Sequence, residues 1–137
     1  SSQKTEKQVR DKLLEGGYTE RYAEIGIEYA KRFGYIDDLR YAQYFVENSC
    51  RGRSRRDIEQ RLYRRGIDCD VISSVLDELR PDTEDDTDAV WEALRRKSVT
   101  PDNIGELDFD ARRKLYAYLM RKGFSSDCIT RVLRSDF

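Results

Sequence analysis

A short phrase occurs three times in this chain: Leu13-Leu14-Glu15-Gly16-Gly17-Tyr18, Leu62-Tyr63-Arg64-Arg65-Gly66-Ile67 and Leu119-Met120-Arg121-Lys122-Gly123-Phe124. The copies align on Gly17, Gly66 and Gly123, each preceded by an apolar residue four positions back and followed at once by a large apolar residue. The alignment extends outward to Val9, Ile58 and Leu115 on one side. On the other side it reaches Thr19, Asp68 and Ser125, then Ala23, Ile72 and Ile129, then Ile27, Leu76 and Leu133. Self-similarity of this kind constrains the fold strongly, because it marks a tandem array of small units that bury their apolar faces against neighbours. Such arrays usually bind rather than catalyse.

Physical chemistry gives the phrase a shape. Apolar residues eight and four before the glycine share one face of a helix. The glycine stands just past the helix end, where the chain turns with positive φ and a Cβ costs about 1–2 kcal/mol. Thr19, Asp68 and Ser125 are N-cap residue types, so a second helix starts directly. Each phrase therefore reads as a helical hairpin. Applied along the chain, these signals predict helices at 4–15, 19–33, 38–50, 54–65, 69–79, 85–97, 109–122 and 126–135, with an irregular stretch at 98–108. No strand alternation is present. The expected fold is all-α, with tandem three-helix repeats forming an elongated, curved array. The units are an incomplete first repeat at 1–35, a second at 36–80 and a third at 81–137. Tyr22 and Phe33, with the other tyrosines of the first half, are expected to pack in the core and between units with hydroxyls at the rim; the alternative is an aromatic protein-binding face. Trp91 is expected in the core.

Composition excludes several chemistries. The chain has 137 residues and no histidine, which removes Ser-His-Asp triads, Cys-His pairs and histidine metal sites. Its three cysteines, Cys50, Cys69 and Cys128, form no CxxC pair. No cofactor, metal or catalytic residue is expected. Scattered cysteines without a secretory segment suggest a reducing, cytoplasmic setting. No apolar run approaches membrane-spanning length, so no membrane partner is expected. The pairs Asp37-Asp38 and Asp85-Asp86 read as helix caps and first-turn acids rather than as a two-carboxylate site.

The formal net charge of −1 hides segregation. One basic set is Arg51, Arg53, Arg55, Arg56, Arg64 and Arg65, and a second is Arg112, Arg113, Lys114, Arg121 and Lys122. An acidic run from Asp77 to Asp88 separates them. Two readings stay open: solvated faces with intrachain pairing, or a basic surface for phosphates or an acidic protein. Both sets fall in equivalent hairpins, which would align them along one side of an array. Replacing Arg53, Arg55 and Arg56 with glutamate should then leave melting nearly unchanged. The second helix of the middle hairpin carries Asp70, Asp77 and Glu78, which argues against sequence-specific DNA reading.

The segment Phe33-Gly34-Tyr35-Ile36-Asp37-Asp38-Leu39-Arg40-Tyr41-Ala42 resembles the signature of the RecX family of regulatory proteins. Ser54 to Ile67 resembles that family's next helix, and Arg112-Arg113-Lys114-Leu115 through Arg121-Lys122-Gly123-Phe124 its third repeat. The resemblance implies a noncatalytic protein that modulates DNA repair and recombination, and a monomer is expected. It would bind the RecA nucleoprotein filament and hinder strand exchange and ATP turnover. By their charge, and not from the resemblance, the basic sets are expected to face the filament, the single-stranded DNA backbone within it, or both. The alternative is a nonspecific nucleic-acid-binding helical module that acts alone.

Overall fold

The computed structural model describes residues 3–49, 51–80 and 86–134. Among these are eight α-helices and no strand. They are α1 (Glu6–Glu15), α2 (Glu20–Arg32), α3 (Asp38–Asn48) and α4 (Arg55–Arg64), then α5 (Cys69–Leu79), α6 (Thr87–Arg95), α7 (Phe109–Arg121) and α8 (Ser126–Leu133). A turn of 3-10 helix at Ile104–Glu106 interrupts the stretch expected to be irregular. The expected end of the third helix at Cys50 and residues 81–85, within the acidic run, lie outside the described residues. The fold is all-α and built of tandem three-helix repeats: α3–α4–α5 and α6–α7–α8, preceded by the pair α1–α2.

The helices start where capping chemistry dictates. The Thr19, Asp37, Asp108 and Ser125 side chains each accept an amide from the first turn of α2, α3, α7 and α8. Thr5 forms a full capping box with Gln8 at the head of α1.

The helices end in one recurring turn. Tyr18, Ile67 and Phe124 amides donate to the carbonyls of Leu13, Leu62 and Leu119 at 3.1, 3.2 and 3.3 Å. The preceding amides of Gly17, Gly66 and Gly123 donate to Leu14, Tyr63 and Met120. This is the Schellman pattern, and the three glycines have φ of 94°, 83° and 95°. The same turn closes α6, but there Ser98 takes the left-handed position at φ 62°.

The chain forms two compact units, one of residues 1–49 with 59–79 and the other of 50–58 with 80–137. In the first, α1 packs on α2 and α3 on α5. Its core is small: Ala23, Ile27, Ile36, Ala42, Val46, Leu62, Ile67, Ile72, Val75 and Leu76. No residue of α1 is buried. In the second unit, α6, α7 and α8 enclose a cluster that includes Val90, Leu94, Ile104, Leu119, Phe124 and Ile129. Trp91 is half-buried against that cluster rather than inside it.

Two equivalent joints hold consecutive repeats together, one in each unit. In the first unit, the buried Thr5 hydroxyl donates to the Arg65 carbonyl at 2.6 Å, while Asp38 accepts the Glu6 amide at 2.9 Å. In the second, the buried Ser54 hydroxyl donates to the Lys122 carbonyl at a longer 3.5 Å, while Asp86 accepts the Arg55 amide at 3.1 Å. Each accepting carbonyl belongs to the residue just before a turn glycine. The helix head therefore presses on that glycine. A Cβ on Gly66 would stand 2.3 Å from Lys7 Cβ, and one on Gly123 2.9 Å from Ser54 Oγ. A Cβ on Gly17 would meet nothing within 4 Å.

Candidate partner-binding surface

The arginines and lysines singled out in the sequence divide into two groups. Arg51, Arg56, Arg64, Arg113, Lys114 and Arg121 are exposed. Arg53, Arg55, Arg65, Arg112 and Lys122 are half-buried and work within the fold. Arg53 pairs with Asp57 at 3.2 Å. The Arg55 guanidinium donates to the Arg80 carbonyl at 2.8 Å. Arg65 lies over the Phe45 ring at 4.7 Å, a cation–π contact that holds α4 to α3. Lys122 and Lys97 flank the Tyr118 ring. Arg112 donates to the carbonyls of Leu107, Ile104 and Leu133, so it ties the head of α7 to the 3-10 turn and to the end of α8. A set that looks uniform in sequence thus splits into anchors and surface cations.

Charge neutralisation is uneven. Near the head of α4, Arg51 meets Glu92 at 3.8 Å and Arg80 meets Asp86 at 3.0 Å. The α7–α8 hairpin is different. Between 109 and 134 stand Arg112, Arg113, Lys114, Arg121, Lys122, Arg131 and Arg134, against Asp110 and Asp127. Asp110 serves both Arg113, at 2.7 Å, and Lys114, at 3.2 Å. The Arg113 and Lys114 side chains together hold its carboxyl below the usual aspartate range. One carboxylate cannot cancel two cations, so the hairpin keeps a positive field.

The carboxylates at the joints behave differently. Burial pushes Asp86 above the ordinary range, against the Arg55 amide and the Arg80 charge. Burial likewise raises Asp38, opposed by the Glu6 amide. The two neighbours Asp37 and Asp38 have separate tasks, the former capping its own helix and the latter holding the head of α1. Among the described residues no group of histidine, cysteine, aspartate and glutamate is arranged to hold a metal. Cys69 is exposed and Cys128 is buried, and Cys50 lies outside the described residues.

The aromatic residues depart from expectation. Tyr18, Tyr22, Tyr29 and Phe33 are 59%, 65%, 61% and 58% exposed, and Ile25 lies beside them on α2 at 56%. Tyr35 and Tyr44 are exposed as well. The core face of α2 is Ala23 and Ile27 alone. In the equivalent hairpins the counterparts of Tyr18 are buried as Ile67 and Phe124, in repeats where α3 packs on α5 and α6 on α8. No described helix stands in that relation to α2. Among the described residues no helix is long and apolar enough to cross a membrane.

Comparison with known proteins agrees with this architecture. Residues 37–76 match the family model for the RecX second three-helix domain, and 84–133 that for the third. The chain is 30% identical over 131 residues to the regulatory protein RecX of Clostridium perfringens strain 13, covering 96% of this chain and 61% of that relative. It is 33% identical over 134 residues to the regulatory protein RecX of Clostridium botulinum strain Alaska E43, with the same two coverages. The chain therefore spans about three-fifths of the length of these curated relatives. The crystal structure of RecX from Lactobacillus salivarius superposes with a TM-score of 0.66 at 23% identity, covering 98% of this chain and 86% of that one, and so shares the fold. With its second and third three-helix segments matched in order and its curated relatives alike in name, this chain belongs to the RecX family of regulatory proteins.

Proposed function

We propose that the chain is a noncatalytic regulator that binds the RecA–DNA filament in the cytoplasm and lowers recombinase and ATPase activity. Family membership supports the regulatory role. The observation that carries the reading further is the α7–α8 hairpin, whose cations outnumber its acids and include the exposed Arg113, Lys114 and Arg121. Arg113, Lys114 and Arg121, together with the exposed Arg51, Arg56 and Arg64, meet the anionic partner. The half-buried arginines hold the helices that present them.

Co-sedimentation with RecA filaments, with and without nucleotide, tests the assignment. The wild-type chain should pellet with filaments and slow their ATP turnover. Replacing Arg113, Lys114 and Arg121 with glutamate should release it while leaving helix content intact. Undiminished inhibition by that variant excludes the hairpin.

The same cations favour a second reading, a nucleic-acid-binding module that acts alone. Neutralising five phosphates of a single strand would give a slope of about −3.5 in log K against log salt. Binding to bare single strands with that slope, and no response to RecA, would select the second reading.

A further inference from the structure

The groove between α7 and α8 combines an apolar floor with a basic rim. Leu133 and Tyr116 line it, and Phe109 forms its lip. Arg113 and Arg134 stand at its edge. Phe109 is the first residue of α7 and is 82% exposed. Asp108 already caps that helix through the Ala111 amide, so the phenyl ring is not needed to start it. Aligned on the turn glycines, the counterpart of Glu6 and Arg55, the first residues of α1 and α4, is Arg112, so α7 begins one turn earlier than they do. The extra first turn of α7 thereby places an unburied aromatic residue at the helix head. It does so in the hairpin with the largest excess of cations.

We propose that this groove docks an acidic amphipathic helix of the partner. This rests on the regulatory reading above, with the helix belonging to the filament protein. Apolar side chains on one face of the incoming helix enter between Phe109, Tyr116 and Leu133. Carboxylates on its flanks meet Arg113 and Arg134. An apolar trough between two helices suits the helix-in-groove mode, in which anchors recur every three or four residues. A single-stranded nucleic acid instead needs a row of exposed rings along a cationic track. Here one exposed ring, Phe109, stands over a floor of Leu133 and the half-buried Tyr116 rather than in a row of exposed rings, and the positive rim selects an acidic ligand over a basic or neutral one.

The test uses a fluorescein-labelled synthetic peptide, an amphipathic helix with leucine at the apolar heptad positions and glutamate elsewhere. Anisotropy is measured on the intact chain, on Phe109→Ala and on the pair Arg113→Glu with Arg134→Glu. All three sites are exposed, and circular dichroism verifies the fold. Saturable binding that weakens about tenfold in each variant is expected, as when one interface anchor is removed. No saturable binding, equal binding of a scrambled peptide of the same composition, or unchanged affinity in both variants overturns the proposal. So does an oligothymidylate that binds the intact chain and loses affinity in Phe109→Ala while the peptide fails to bind. Filament co-sedimentation of the same proteins separates the two levels. Wild type and variants that pellet equally remove the groove and leave the regulatory function standing. Peptide binding by a wild type that does not pellet keeps the groove and removes the filament assignment.

Discussion

A methyl group tells the three turn glycines apart. All three have positive φ, so alanine costs each about 1 kcal/mol in backbone strain. At Gly17 nothing else is touched, and Gly17→Ala should lower stability by that amount alone. At Gly66 the new Cβ would lie 2.3 Å from Lys7 Cβ. Gly66→Ala should therefore cost a further 1–3 kcal/mol or so from overpacking. Urea denaturation of the two variants side by side measures the difference. Ser98 is the converse case, a left-handed residue that does have a Cβ. Ser98→Gly should stabilise by about 0.5–1 kcal/mol, the relieved strain less the greater freedom of glycine in the unfolded chain.

Asp86 gives a pH signature at the same scale. Its folded pKa is raised, so the native state holds the proton more tightly than the unfolded chain does. Its contribution is favourable below the ordinary carboxylate range and declines as pH rises through the elevated folded value. Asp86→Asn keeps an oxygen for the Arg55 amide but cannot ionise. The variant's melting temperature, relative to wild type, should rise as pH climbs from about 4 toward neutrality. A difference that is flat across that range would show that Asp86 is not perturbed.

At the scale of elements, helix positions and caps were legible because they depend on local chemistry. Apolar spacing, Thr19, Asp37 and Ser125 as caps, and glycine at the left-handed turn all act within a few residues of chain. What a cap does with its remaining hydrogen-bonding capacity was not legible. Thr5 and Ser54 both accept an amide of their own helix and donate to a carbonyl far along the chain. Nothing local marks that second bond. The faces of α2 were equally ambiguous, since Tyr18, Tyr22, Ile25 and Tyr29 have the same spacing whether covered or open. Tyr22→Ser with Tyr29→Ser should change the stability of this chain by no more than about 0.5 kcal/mol, as expected of surface positions. A large loss would mean the ring face is packed in solution.

At the scale of the whole molecule, the repeat organisation could be read from three similar phrases, whereas the orientation of each guanidinium could not. Arginine has the same charge whether it faces solvent or a carbonyl, and only the packing of neighbouring helices decides. The consequence is testable. Glutamate at Arg53, Arg55 and Arg56 together should now destabilise the fold by about 1–3 kcal/mol, because two of the three are engaged internally. That revises the sequence-based expectation of unchanged melting. Glutamate at Arg113 and Arg121 should leave melting within about 0.5 kcal/mol, as befits exposed charges. Thermal unfolding of both sets distinguishes anchors from surface cations before any partner is added.

The two hydroxyl joints connect residues 60 and 68 positions apart, far more than any helical hairpin turn spans. Contacts of such long sequence separation form late, after the hairpins have condensed from local interactions. In stopped-flow experiments, Thr5→Val and Ser54→Ala should leave refolding rates close to wild type and accelerate the unfolding limb. The lifetime of the native chain would then be governed by two side-chain protons more than by the size of its cores.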